Sequence, residues 1–178
     1  MQDIFIEYMV KKQNTPQRMA AKALVVLAAV VVSLVAFLFS GYLGGLSFLM
    51  PVIVIGAFYG AYYVITSMNV EFEYSVTNGE LDVDQIIAQR KRKRLISVDC
   101  RSVEKFGRFK PEEHSGKTYG AKIMACDSPQ SGDLWYCVSR MKESGMALVV
   151  FNANQKMLEG IKPFLPRPIM HEAFKVGR

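Results

Sequence analysis

The sequence predicts a membrane-embedded helical hairpin followed by a mainly β barrel of about seven short antiparallel strands, which a C-terminal helix caps. Between Ala23 and Val70 the chain has no acidic, basic or histidine residue, which is typical of helices that cross a membrane. After Met68, apolar and polar residues alternate and turn residues recur at short intervals, which is typical of antiparallel strands. The 178 residues leave room for the hairpin and one domain of about 100 residues.

The uncharged stretch is long enough for two membrane crossings, because one crossing needs roughly 20 apolar residues. The glycine-containing segment from Ser40 to Gly45 interrupts it near its middle and predicts a tight turn. We expect a hairpin over residues 16–68, with helices at about 19–39 and 46–68; Thr15 would cap the first helix and Pro16 would be its first residue. A buried helix pair of a soluble protein would need a polar face, and a cleaved signal peptide would leave the second apolar run unexplained.

The distribution of charge predicts the topology. The formal net charge is +6, and basic residues flank the apolar stretch on both outer sides, from Lys11 to Lys22 and from Arg90 to Arg94. Because basic residues near membrane helices stay on the cytoplasmic side, we expect a multi-pass plasma-membrane protein with both termini in the cytoplasm. The odd number of cysteines fits a reducing compartment and predicts free thiols rather than disulfides.

Two features before the β domain leave alternatives open. Residues 1–15 are expected to form an interfacial segment, because apolar residues between Asp3 and Lys12 repeat at i and i+4 and favour a short helix in the headgroup region; the alternative is a frayed terminus. Gly56 and Gly60 stand four residues apart, a spacing that allows close helix contact. They indicate either packing within the hairpin or a homodimer.

Residues 69–178 are expected to form the cytoplasmic β domain. Asn78-Gly79 joins two alternating segments and predicts a type I′ hairpin turn. A helical pattern from Asn154 to Leu165, stopped by Pro163 and Pro166, predicts the terminal helix. The strand-like segments run from Val70 to Thr77, Glu80 to Asp84, Arg94 to Val98, Val103 to Phe109, Thr118 to Cys126, Leu134 to Arg140, and Met146 to Asn152.

The order of these elements, with the segments Tyr74 to Val83, Arg92 to Leu95 and Val103 to Gly107, resembles the bacterial pleckstrin-homology-like (PH-like) domains that follow transmembrane hairpins. Over nearly its whole length, the chain is similar to a family of small bacterial two-span membrane proteins of unknown function. The resemblance implies a C-terminal PH-like barrel and a membrane location. The matched residues are structural, so it supplies no catalytic residue.

The basic run Arg90, Lys91, Arg92, Lys93 and Arg94 is the main candidate binding site. Near an anionic leaflet each such residue can contribute about 1 kcal/mol of attraction, so the run predicts docking on anionic lipid headgroups. The alternatives are a solvated hairpin paired with Glu80, Asp82 and Asp84 across the ladder, or contact with an acidic protein partner. Nucleic acid is not expected, because the rest of the domain is nearly balanced in charge and has no recognised binding motif.

Enzyme chemistry has little support in the sequence. We expect no catalytic residue, cofactor or metal site, because nucleophile-elbow, phosphate-loop and zinc-protease motifs are missing and His114 and His171 lack ligands at metal-binding spacing. Both histidines are therefore expected at the surface. The sequence thus predicts a non-catalytic binding or scaffolding module for lipid or an unidentified protein. The alternative is a membrane-bound thiol enzyme or redox-sensitive regulator that uses Cys100, Cys126 or Cys137 with His114.

The strand pattern also predicts the positions of two further pairs of side chains. Cys126 and Cys137 would lie on neighbouring strands, where they could meet or fill the core. Trp135 and Tyr136 would line a peptide groove, or one of them would face the core.

Overall fold

The computed structural model describes residues 4–42, 44–141 and 145–175. The predictions for Asp3, for Leu43 and for the first and last residues of the chain therefore lie outside the described residues. It contains two compact units. One comprises residues 13–69, and the other comprises Ile4 to Lys12 together with the chain from Val70 onward. We call them the helical unit and the β unit.

The helical unit contains the predicted hairpin. Helix α1 spans Pro16–Phe39 and α2 spans Met50–Ser67, with two 3₁₀ turns over Ser40–Tyr42 and Gly44–Leu49. Thr15 caps α1, since its hydroxyl accepts a hydrogen bond from the Arg18 N–H at 3.4 Å and Pro16 is the first helical residue. Both features agree with the sequence-based expectation.

The two helices expose apolar side chains on nearly all sides. Two helical stretches, Pro16–Tyr42 and Ser47–Ser67, have mean hydropathies of 2.9 and 1.9 and are long and apolar enough to cross a membrane. Only 6% and 0% of their most apolar windows are buried, unlike a core helix of a soluble protein. Hydroxyl groups within the helices donate to the preceding turn, as from Ser33 to Ala29 at 2.8 Å and from Ser67 to Val64 at 2.6 Å, so their polar groups are satisfied without water.

The prediction of an N-terminal interfacial helix is wrong, and so is the frayed-terminus alternative. Phe5–Lys11 forms strand β1, which pairs antiparallel with β2 along its whole length, from Phe5 opposite Thr77 to Lys11 opposite Glu71. Ile6, Tyr8 and Val10 pack against the core, while the alternate residues are exposed. The apolar positions fit a period of two as well as i and i+4 spacing, and pairing with β2 selects the strand.

The β unit contains two four-stranded sheets. Sheet 1 has the antiparallel order β1-β2-β3-β4, and sheet 2 has the order β5-β7-β8-β6, in which β6 runs parallel to β8. The described residues therefore contain one more strand than predicted, and the two sheets do not close into a barrel. The remaining strands are β2 Val70–Thr77, β3 Glu80–Ile87, β4 Lys91–Asp99, β5 Val103–Arg108, β6 Ala121–Ala125, β7 Leu134–Met141 and β8 Gly145–Asn152.

The predicted hairpin turn between β2 and β3 is confirmed. Asn78 and Gly79 both have positive φ, 49° and 93°, as a type I′ turn requires. Gly79 is also fixed by space, because a Cβ there would lie 2.6 Å from Cδ1 of Phe164. The turn is thus held against the C-terminal part of the domain.

One core joins the two sheets and the terminal helices. Its side chains include Tyr74 and Val83 of sheet 1 and Trp135 and Phe151 of sheet 2. The Tyr74 hydroxyl donates to the Ala125 carbonyl oxygen at 2.6 Å, linking the sheets through a buried hydrogen bond. The prediction of one terminal helix is incomplete: α3 spans Gln155–Ile161, and a second helix, α4, spans Arg167–Lys175 directly after Pro166.

Candidate functional site

The register of sheet 1 brings the predicted basic run to a defined end of the sheet. Ile87 is opposite both Val70 and Lys91, and the Lys12 N–H donates to the Val70 carbonyl oxygen at 2.9 Å. The β3–β4 turn, residues 88–90, therefore lies at the end of sheet 1 where the chain leaves for α1 and returns from α2. Lys11, the last residue of β1, and the adjacent Lys12 lie at this same end.

Arg92 and Arg94 are engaged by carboxylates on the exposed face of the sheet. Arg92 bonds Asp84 at 2.8 Å and Glu73 at 2.5 Å. Arg94 bonds Asp84 at 3.0 Å and Asp82 at 3.1 Å. These contacts match two of the three partners foreseen for a solvated hairpin. The third, Glu80, instead accepts a hydrogen bond from the Ser97 hydroxyl at 2.6 Å.

Sequence reasoning missed two members of this ion-pair network, Glu73 and Glu71. They alternate on β2, and Glu71 pairs with Lys11 of β1 at 3.4 Å. The alternation of Glu71 and Glu73 with apolar residues was visible in the sequence. Their partners were not, because Glu71 meets Lys11 only where β1 pairs with β2, and Glu73 meets Arg92 of β4 across the intervening strand β3.

Asp84 is the central residue of the network. Its side chain is 6% exposed, whereas those of Arg92 and Arg94 are 54% and 56% exposed. Burial alone would raise the pKa of the Asp84 carboxyl, but hydrogen bonds from Arg94 and Arg92 together outweigh it and lower this pKa. Both arginines thus stabilise the ionised carboxylate at neutral pH.

The two lysines of the run are placed differently. Lys91 and Lys93 are exposed, and no ion pair within the described ranges 4–42, 44–141 and 145–175 involves either of them. Arg90 is exposed in the turn. The five predicted residues therefore include two arginines that carry cross-strand ion pairs and two lysines that face solvent.

The geometry of the cysteines gives the thiol alternative no support. Cys100, Cys126 and Cys137 are all buried free thiols. Burial raises the pKa of Cys100 to about 12 and that of Cys126 to about 11, and it also raises the pKa of Cys137. A nucleophilic thiolate needs the opposite shift.

The prediction that Cys126 and Cys137 lie on neighbouring strands is wrong, because β8 lies between β6 and β7 in sheet 2. Cys137 belongs to the main core, and Cys126 belongs to a smaller cluster with Leu134, Val138 and Leu148. The two cysteines thus belong to different clusters.

The prediction of a surface position is wrong for His114, which is 4% exposed. Its Nδ1 lies 2.8 Å from the Tyr119 hydroxyl, and its ring contacts Phe109 and Tyr136. Burial lowers the pKa of His114, so the imidazole is neutral at pH 7. His171 is exposed, as expected.

The remaining sequence-based candidates also have defined positions. Trp135 is 6% exposed and belongs to the main core, whereas Tyr136 packs on the smaller cluster.

A Cβ at Gly56 or Gly60 would meet no atom within 4 Å, so neither glycine makes a close contact with α1. A homodimer contact through these glycines stays a prediction. Within the described part of the chain, no group of acidic, histidine or cysteine residues could hold a metal ion.

Replacing both Arg92 and Arg94 by glutamine should destabilise the protein by about 1–2 kcal/mol at pH 7, because Asp84 would keep its charge in a buried position without a cation. The loss should shrink as the pH falls towards 3, since the stabilisation from a lowered carboxyl pKa exists above the unfolded-state pKa and disappears as Asp84 is protonated. Denaturant unfolding at several pH values measures both effects.

Lys91→Gln with Lys93→Gln is the matched control and should change the free energy of unfolding by less than about 0.5 kcal/mol. An equal loss from both double variants would contradict the assignment of the ion pairs.

Comparison with known proteins identifies the family. The model for the Bacterial PH-like domain (DUF6106) matches residues 2–171. No curated protein and no solved structure matches the chain. The match begins near the first residue and includes β1. The sequence predicted the PH-like domain only at the C-terminal end of the chain, and this position is corrected here. The chain belongs to the bacterial PH-like domain family DUF6106.

Proposed function

We propose that the chain is a two-span plasma-membrane protein whose PH-like domain acts as a non-catalytic binding or scaffolding module at the cytoplasmic leaflet. Anionic lipid headgroups are the first candidate ligand, and an acidic protein partner is the alternative. The position of the two apolar helices between hydrogen-bonded strands is the observation that carries this proposal.

Pairing of β1 with β2 restricts the possible topologies. These neighbouring strands are separated in sequence by both apolar helices. Strands of one sheet must lie on the same side of a bilayer, so the chain between them crosses it an even number of times. Two crossings satisfy this requirement and bury the apolar side chains that α1 and α2 expose.

The distribution of basic residues indicates on which side of the membrane the β unit lies. Lys11, Lys12, Arg18 and Lys22 precede the first apolar run, Arg90 to Arg94 follow the second, and the connection between the runs has no charge. The positive-inside rule therefore favours a cytoplasmic β unit and an external helix connection.

Cysteine accessibility tests this topology. Because the native cysteines are buried, an impermeant thiol reagent should report only an introduced cysteine. Gly41→Cys, at a position with no atom within 4 Å of a Cβ, should react in intact cells. Thr77→Cys, at the exposed last residue of β2, should react only after lysis. Labelling of Thr77→Cys in intact cells would rule out the proposed orientation.

The basic end of sheet 1 supports lipid as the first candidate. We define the basic end as Lys12, Arg90, Lys91 and Lys93. Both connections to the apolar helices leave the sheet here and are only a few residues long, so a spanning hairpin would keep these cations near a leaflet. Each cation close to an anionic surface contributes about 1 kcal/mol, and the tether removes most of the entropic cost of association.

A fluorophore at the basic end can measure this docking in full-length protein embedded in nanodiscs. A label on Gln89→Cys should be quenched more strongly by headgroup-linked quenchers in discs with acidic lipid than in neutral discs. The difference should decrease between about 0.1 M and 1 M salt, because the Debye length falls from about 10 Å to 3 Å.

Lys91→Gln with Lys93→Gln should reduce the difference without the stability loss expected for the arginine variants. A label on Thr77→Cys, at the opposite end of sheet 1, is the position control. Equal quenching of the Gln89→Cys label in acidic and neutral discs at low salt would contradict lipid docking and leave the acidic protein as the candidate partner.

A further inference from the structure

A cavity of about 330 Å³ lies between sheet 2 and the terminal helices, and its lining residues do not include those of the basic end. This volume is at the lower end of the range for small-molecule sites. Trp135 and Phe174 form its aromatic wall, with ring centroids 5.5 Å apart. Leu158 of α3 and Ala173 of α4 complete the apolar lining.

Two cations flank this aromatic pair. The guanidinium carbon of Arg108 lies 5.9 Å from the Trp135 ring centroid, and the Lys162 ammonium lies 5.3 Å from the Phe174 ring centroid. Both side chains are exposed and line the cavity. Among the described residues neither Arg108 nor Lys162 forms an ion pair, so their charges are not neutralised by a carboxylate of the domain.

The remaining polar groups of the cavity do not cancel these charges. Glu159 is its one acidic residue, and a carboxylate oxygen of Glu159 accepts a hydrogen bond from Gln155 Nε2 at 2.9 Å. The lining thus carries two cations against one engaged carboxylate. An anion that contacts both Arg108 and Lys162 would form charge-assisted hydrogen bonds with them.

We propose that this cavity binds a small organic acid, with its apolar, preferably aromatic, body against Trp135 and Phe174 and its carboxylate between Arg108 and Lys162. The aromatic wall favours a flat apolar group, because ring pairs gain energy beyond the area they bury. The cavity accommodates a compact ligand of roughly ten non-hydrogen atoms by comparison with known sites. This site is independent of membrane docking.

Intrinsic fluorescence can test the proposal in the full-length protein, because Trp135 is the single tryptophan of the chain. Titration with 3-phenylpropionate should change the emission saturably. The uncharged isostere 3-phenylpropanamide should bind at least about tenfold more weakly, which is the size of effect expected when one charge-assisted contact is lost.

Variants of the lining separate the two parts of the site. Arg108→Gln with Lys162→Gln should weaken 3-phenylpropionate binding at least tenfold and leave binding of the amide unchanged. Glu159→Gln should tighten binding of the acid, because it removes a like charge. Lys156→Gln, an exposed cation of α3 outside the lining, should have no effect.

Three outcomes would overturn the proposal: no saturable change in Trp135 emission, equal affinity for the acid and the amide, or unchanged affinity in the double variant. A circular dichroism spectrum like that of the wild type establishes that each variant is folded. Because the lipid experiment measures the other sheet, failure here leaves the proposed membrane docking unaffected.

Discussion

Pairing between β1 and β2 is the interaction on which the rest of the structure depends. The seven residues of β1 precede the apolar helices, yet they form the outer strand of sheet 1 and supply Ile6, Tyr8 and Val10 to the packing around the core. Gly160 of α3 leaves room for this strand, because a Cβ at Gly160 would collide with the Ile6 side chain. The PH-like domain is therefore assembled from two chain segments that the helical unit separates in sequence. In the proposed membrane topology, both segments lie on the same side of the bilayer.

Sheet 1 uses its charges in two different ways. On the exposed face, carboxylates of β2 and β3 bind cations from both edge strands, so that Lys11, Arg92 and Arg94 connect all four strands. At the basic end, Lys91 and Lys93 extend into solvent. A charged edge strand also discourages pairing with other chains. The same run of basic residues thus stabilises the sheet through its arginines and leaves its lysines exposed, as the proposed docking requires.

Local sequence patterns predicted most of the fold because their physical causes are local. The uncharged run predicted two helices, Asn78-Gly79 predicted the turn, and period-two alternation predicted β2 and β3. The pattern of β1 was ambiguous, since a short apolar repeat fits a helix or a strand, and only its partner decides. The burial of His114 and the division of the basic run into two functions depend on contacts between residues far apart in sequence. The cavity at Trp135 could not be predicted from the sequence either. Its Phe174 belongs to α4, which follows Pro166, and the sequence pattern indicates Pro166 as the end of the last helix.

The most direct test of the central claim is to remove the helical unit. The Lys12 N–H and the Val70 carbonyl oxygen form the last hydrogen bond between β1 and β2, which is the geometry that a two-residue hairpin turn can close. A chain in which Asn-Gly replaces residues 13–69 should be soluble, have a β-dominated circular dichroism spectrum and unfold cooperatively. A matched chain that starts at Val70 lacks β1 and should be markedly less stable. Equal stability of the two chains would contradict the account, because β1 would then contribute nothing to the domain.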